Sequence, residues 1–233
     1  MLEHYFLFLG GFVIKRSKII IELIKDEINV VQAMDILNLL LQDLTDKKIQ
    51  NWLDNEINGY QDKDKIPEYR IVNCNIKGDY IVGRVKCTNK DIPIKSELAK
   101  EYSTVKVICS IYEISQYFLA EKESKDHCLM IPLHAVLANQ ISLINGEVIS
   151  AYRKLSIYSH TNILAKIKSK VLKIFLELEK KYGNLDDYYI KFSNKETSKE
   201  VIQNITNIIT DNSIHIGNDN QIESSNVGVG NEN

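Results

Sequence analysis

An α+β fold is predicted from three observations. Apolar residues first recur at helical spacing, then give way to β-branched and aromatic runs, and then return to helical spacing over a long lysine-studded segment. A chain of 233 residues can bury a substantial core. The expected architecture is an N-terminal helical bundle, a small central antiparallel β-sheet, a long C-terminal amphipathic helix and an Asn/Gly-rich, β-solenoid-like tail.

Residues 5–14 (YFLFLGGFVI) form an apolar run followed by Lys15-Arg16. Such a run is too short to span a bilayer, which takes about 20 residues. A secretory signal would carry its positive charge before the run, not after it. Residues 1–16 are therefore expected to be an unstructured N-terminal extension, with the folded pattern starting near Ser17.

From Ser17 to Tyr60 the pattern is helical. Ile20, Leu23, Ile24 and Ile28 make one stripe, and Val30, Ala33, Leu37, Leu40, Leu41 and Leu44 a second. A third helix, with Thr45 as its N-cap and Asp46 helping at its positive end, buries Ile49, Trp52, Leu53 and Ile57. Gly59 is expected to close it in a left-handed conformation. Strands are expected at Ile71–Asn75, Asp79–Cys87 and Val105–Tyr112, with Gly78 and Gly83 at a turn or bulge. Ile92-Pro93-Ile94 suits an edge. Leu129–Leu133 is a short apolar segment and Ala135–Leu143 is helical.

The firmest helix is Ile163–Tyr182, where Leu164, Ile167, Val171, Ile174 and Leu178 mark one face. Lys166, Lys168, Lys170, Lys173, Lys180 and Lys181 are assigned to the solvated face. Residues 186–203 are expected to be a polar linker. From Asn204 to Asn233 there is no aromatic residue, and Ile or Val alternates with Asn, Ser and Gly. These units are expected to form solenoid rungs, with Ile214, Ile216, Ile222, Val227 and Val229 joining two or three subunits into a homo-oligomer.

The net charge of −2 gives no strong nucleic-acid signal. The four cysteines, at 74, 87, 109 and 128, have neither zinc-knuckle spacing nor an evident disulfide framework, which suggests a reducing cytoplasm. His127-Cys128 with His134 is the nearest approach to a metal cluster, and no metal or cofactor is expected. No phosphate loop, dinucleotide fingerprint, nucleophile elbow or zinc-protease motif occurs.

The densest information lies between Trp52 and Arg70. Trp52, Glu56, Gly59 and Tyr60 share one helix face, and Pro67, Tyr69 and Arg70 follow. A glutamate on an apolar face requires a partner, and Arg70 is the candidate. Either the pair fixes the bundle against the first strand, or Trp52 and Tyr60 floor a binding pocket. A nuclease-type centre would need clustered carboxylates. Asp54, Glu56, Asp62, Asp64 and Glu68, with Lys63 and Lys65, are numerous, but Asp54 and Glu56 point to different faces.

The run Trp52-Leu-Asp-Asn-Glu56-Ile-Asn-Gly59-Tyr60 and the later Pro67-Glu-Tyr69-Arg70 resemble the signature of the AbiTii domain, named after an abortive-infection protein. The segment ending Phe175-Leu-Glu-Leu-Glu179 is similar to that family's closing helix, so the resemblance covers Ser17 to Gly183. It implies antiphage defence through an unknown phage or host component and carries over no catalytic residue. The expected role is an oligomeric sensing or interaction module. The alternatives are a nuclease-type or other toxic effector enzyme, and an effector held at the membrane by its apolar N-terminus and basic helix.

Overall fold

The computed structural model describes residues 6–9, 12–61, 63–123 and 128–210. Phe6–Leu9 (β1) and Phe12–Lys15 (β2) pair antiparallel with each other alone. An unstructured extension is therefore corrected to a pair of antiparallel strands over these residues, built from a continuous apolar run.

Three helices follow: Lys18–Ile24 (α1), Val30–Leu40 (α2) and Lys47–Asn58 (α3). Asn29 opens α2 with a reciprocal cap, its side chain and that of Gln32 each bonding the other's backbone N–H at 2.9 Å. Asp46, not Thr45, caps α3, accepting from Lys48 and Ile49 N–H at 3.0 Å. Gly59 ends α3 at φ 91°, ψ 162°, an extended positive-φ conformation instead of the left-handed helical one expected. A Cβ there would sit 3.0 Å from the Ile108 carbonyl oxygen.

After a 3-10 turn at Glu68–Arg70 come Ile71–Asn73 (β3), Asn75–Val82 (β4) and Val85–Asp91 (β5). Ser96–Tyr102 (α4), Thr104–Lys106 (β6) and Ile111–Glu123 (α5) follow. The third expected strand is thus cut to three residues. Ser110 explains why: its N–H (2.8 Å) and hydroxyl (2.9 Å) donate to the Glu113 carboxylate, while Glu113 N–H donates back to the hydroxyl, a helix-starting cap.

The Ser110 N–H first, and its hydroxyl second, hold the exposed Glu113 carboxyl below its ordinary value of 4.5. A carboxylate favoured by the fold stabilises it above 4.5, and that contribution fades as pH falls through the lower folded value. The first turn of α5 is therefore expected to fray on acidification below 4.5 in the native chain and to lose this pH response in Glu113→Gln. Amide exchange of residues 110–113 checks it.

Cys128–Leu133 (β7), Ala135–Ile141 (α6), Glu147–Ser156 (β8), Ile157–Tyr182 (α7) and Lys195–Thr210 (α8) complete the described chain. A four-stranded antiparallel sheet has the order β5-β4-β8-β7, and β3 pairs separately with β6. Gly83 makes the β4–β5 turn at φ 60°. Gly78 lies where the β4 register shifts against its neighbours, so close to β8 that a Cβ would meet the Ser150 carbonyl oxygen. The central strand β8 lies in a stretch where arginine, lysine and serine interrupt the apolar pattern.

Two apolar clusters result. The larger joins α1, α2, α3, α5, α7 and α8 around Ile163, Ile167, Val171, Ile174, Phe175 and Leu178 of α7. The smaller lies between the sheet and α6, with Ile76, Val148, Ala151, Ala138 and Ile141. The ends of the helical body are tied by Glu179. Its carboxylate accepts from Ser17 N–H (2.6 Å) and Ser17 hydroxyl (2.7 Å) and pairs with Arg16, while Asp186 accepts Lys18 N–H at 2.6 Å.

The expected linker and solenoid tail are revised by α8. Asn194 accepts Glu196 and Thr197 N–H to start it, and Val201, Ile205 and Ile209 bury one face. Residues 204–210 are therefore helical, not solenoid rungs, because their isoleucines continue a four-residue spacing begun at Val201. The remainder of the expected solenoid, with Ile214, Ile216, Ile222, Val227 and Val229, lies outside the described residues.

Candidate functional site

The signature residues meet in one buried network. The C-terminal half of α3 presents Trp52, Glu56 and, just beyond it, Tyr60. Pro67, extended at φ −61° and ψ 147°, leads into the 3-10 turn that carries Tyr69 and Arg70 to the same place. Glu56 and Arg70 are both completely buried. Arg70 Nη2 donates to Glu56 Oε2 at 2.6 Å and its Nε to Oε1 at 3.2 Å, a two-pronged pair. Oε1 also accepts the Tyr60 hydroxyl at 2.5 Å and the Tyr69 hydroxyl at 2.7 Å. Trp52 Nε1 donates to the Tyr69 oxygen at 3.0 Å.

The remaining guanidinium nitrogen reaches across to the segment between β6 and α5. Arg70 Nη1 donates to the carbonyls of Val107 (3.0 Å) and Cys109 (2.7 Å). Gly59 permits the close approach that lets Tyr60 N–H donate to the Ile108 carbonyl at 2.7 Å. The guanidinium also lies 4.8 Å from the centre of the Tyr60 ring. Residues 56–60, 69–70 and 107–109 are thus joined around the Glu56–Arg70 pair, with Glu56 Oε1 accepting three hydrogen bonds and Oε2 one.

Burial, and after it the charge of Glu56, push the Tyr60 and Tyr69 phenols far above their ordinary value of 10.0. Both therefore stay protonated and remain donors. Burial works against the charge of Arg70, but the charge and hydrogen bonds of Glu56 together with Tyr60 and Tyr69 more than offset it, so the guanidinium is held more firmly cationic. None of these groups is poised near neutral pH as a general base or nucleophile.

Lys170 belongs to this region, which corrects its expected place on the solvated face of α7. It is 3% exposed, with its ammonium 5.3 Å from the Tyr69 ring centre and donating to the carbonyls of Ile208 (2.7 Å) and Ile209 (3.3 Å). The signal was available: position 170 lies next to Val171 and three beyond Ile167, within the arc that the stripe buries. Its cation meets the negative end of α8.

The carboxylates proposed for metal chemistry do not converge. Asp54 and Glu68 are exposed, Asp64 accepts the Gln61 N–H at 2.7 Å, and Asp62 lies outside the described residues. No group of three or more histidine, cysteine, aspartate or glutamate residues could hold a metal ion among the described residues. His134 caps α6 through Nδ1, and His127 is outside the described residues. A cleft of about 370 Å³ lies elsewhere, lined by residues including Cys74, Ile76, Asp91 and Ser103 but by none of the signature. No helix among the described residues is long and apolar enough to cross a membrane.

The sequence model of AbiTii matches residues 17–208. The chain belongs to the AbiTii family. Membership points to phage defence by abortive infection. The AbiTii match begins at the buried Ser17 held by Glu179 and ends at Ile208, whose carbonyl receives Lys170, so it coincides with the packed body and includes α8. No curated protein and no solved structure matches the chain.

Proposed function

We propose that this protein confers phage resistance by abortive infection as an oligomeric sensing or interaction module that engages a phage or host component without catalysis of its own. One observation carries the non-catalytic part. The family signature is spent on a buried network whose one carboxylate accepts four hydrogen bonds from Tyr60, Tyr69 and Arg70. Residues 211–233 supply the contacts between subunits in this reading, through Ile214, Ile216, Ile222, Val227 and Val229.

Survival and phage yield at low and high phage-to-cell ratio test the proposal. Cultures carrying the protein are expected to survive low doses and to collapse at high dose with little phage released. A chain with Asp54→Ala, Asp64→Ala and Glu68→Ala is expected to protect equally. Lost protection in that variant, with the fold intact, would transfer the assignment to a nuclease-type effector. Unchanged phage yield with the native chain would remove the defence reading.

A further inference from the structure

The chain has four arginines, at 16, 70, 84 and 153. Arg16 pairs with Glu179, Arg70 pairs with Glu56, and Arg84 stands exposed beside the β4–β5 turn. Arg153 of β8 is different. It is half-buried, and its guanidinium has no hydrogen bond or ion pair with any described residue. Its Nε is shielded from solvent and still makes no hydrogen bond.

The surroundings make this costly. Arg153 lies opposite Ile76 of β4 and Ile131 of β7, and between Ala151 and Leu155 along its own strand. Directly opposed residues share a face of the sheet, with Cβ atoms about 5 Å apart. Apolar side chains therefore frame one cation on every side within the sheet. A guanidinium presents five N–H donors, and a buried donor left unpaired costs free energy that a bound acceptor recovers. The frame is also where the two apolar clusters part. Leu155 and Ile131 pack with the larger, Ile76 and Ala151 with the smaller.

The cleft of about 370 Å³ adjoins this position. Ile76 and, two residues earlier, Cys74 form part of its wall. Burial raises the Cys74 thiol above its ordinary value, and the Arg153 charge pulls the other way, so that charge acts at the cleft wall. Ile92 and Ile94 make the cleft partly apolar, while Asn75 and Ser103 supply hydrogen-bonding groups. The carboxylate on its lining, Asp91, is paired with Lys77 at 3.4 Å, which offsets its repulsion of an anion.

We propose that this cleft takes a small organic anion, its carboxylate or phosphate group paired with Arg153 and its apolar body against Ile76, Ile92 and Ile94. The planar guanidinium fork matches either oxyanion with two parallel hydrogen bonds. The volume falls in the range of small-molecule sites, about 300–1,000 Å³. The site shares no residue with the Glu56–Arg70 network and does not depend on oligomer formation.

The test uses the full chain with inorganic phosphate, benzoate and phenyl phosphate as probes, followed through the NMR signal of the Arg153 Nε–H. Benzoate or phenyl phosphate is expected to shift that signal and the Cys74 and Ile92 amides, binding at least about tenfold more tightly than inorganic phosphate. The tighter of the two identifies the oxyanion. Arg153→Met is expected to weaken the tighter probe at least about tenfold, and Arg84→Met to leave it unchanged. Without ligand, Arg153→Met is expected to raise the denaturant midpoint, because an unpaired cation leaves an apolar frame. Equal binding by the native and Arg153→Met chains, or no shift with any probe across the millimolar range, would overturn the site. Inorganic phosphate binding as tightly as both organic probes would overturn the apolar half of the cleft. A lowered midpoint for Arg153→Met would give the arginine a structural partner and overturn the inference at its root.

Discussion

Glu56→Ala is expected to destabilise the protein by about 3–5 kcal/mol, the range for breaking a buried ion pair from one side. The substitution leaves a guanidinium with no exposure beside two phenols that have lost their acceptor. Two carbonyl contacts through Nη1 remain, too few to replace the carboxylate. Arg70→Ala should fall in the same range, since it strands the Glu56 charge. Glu56→Leu combined with Arg70→Met should cost much less than the sum of the single changes, because no uncompensated charge is then buried. Denaturant midpoints of the single and double variants check this. A loss below about 1 kcal/mol for Glu56→Ala would show that the network is solvated in solution, and the structural reading of the family signature would fall.

Phe175→Ala is expected to cost a similar 3–5 kcal/mol for a different reason. Its ring is completely buried in α7, where the large core converges, and no polar group is involved. The neighbouring Leu176 is 36% exposed, and Leu176→Ala should stay within about 0.5 kcal/mol. The two substitutions, one residue apart, separate burial from helix propensity. Equal losses on thermal or denaturant unfolding would contradict the packing of α7 described above.

The helices were legible because apolar spacing and burial coincide along α2, α3 and α7. The candidate site was legible for the same reason: an acidic residue on an apolar face demands a partner, and Arg70 followed a turn-forming proline. Other features depended on contacts that no local pattern carries. The lysine pattern of α7 suggests a single solvated face, whereas the Lys170 ammonium is satisfied by the end of a helix 38 residues later. α8 was divided between linker and tail because the change in composition at Asn204 hid a spacing already under way at Val201. β8 escaped because it is central to a sheet whose inner face it covers only with Val148, Ala151 and Leu155, set among polar residues.

The clasp between Ser17 and Glu179 also orders events during synthesis. These residues are 162 positions apart, whereas Glu56 and Arg70 are separated by 14. The Glu56–Arg70 pair can form before Val107 and Cys109, which Arg70 also bonds, are made, whereas the Glu179 acceptor of the Ser17 N–H comes only near the end of α7. Contacts of such long range are the slow part of folding. A chain ending before Glu179 would carry the Glu56–Arg70 pair without the acceptor that holds Ser17.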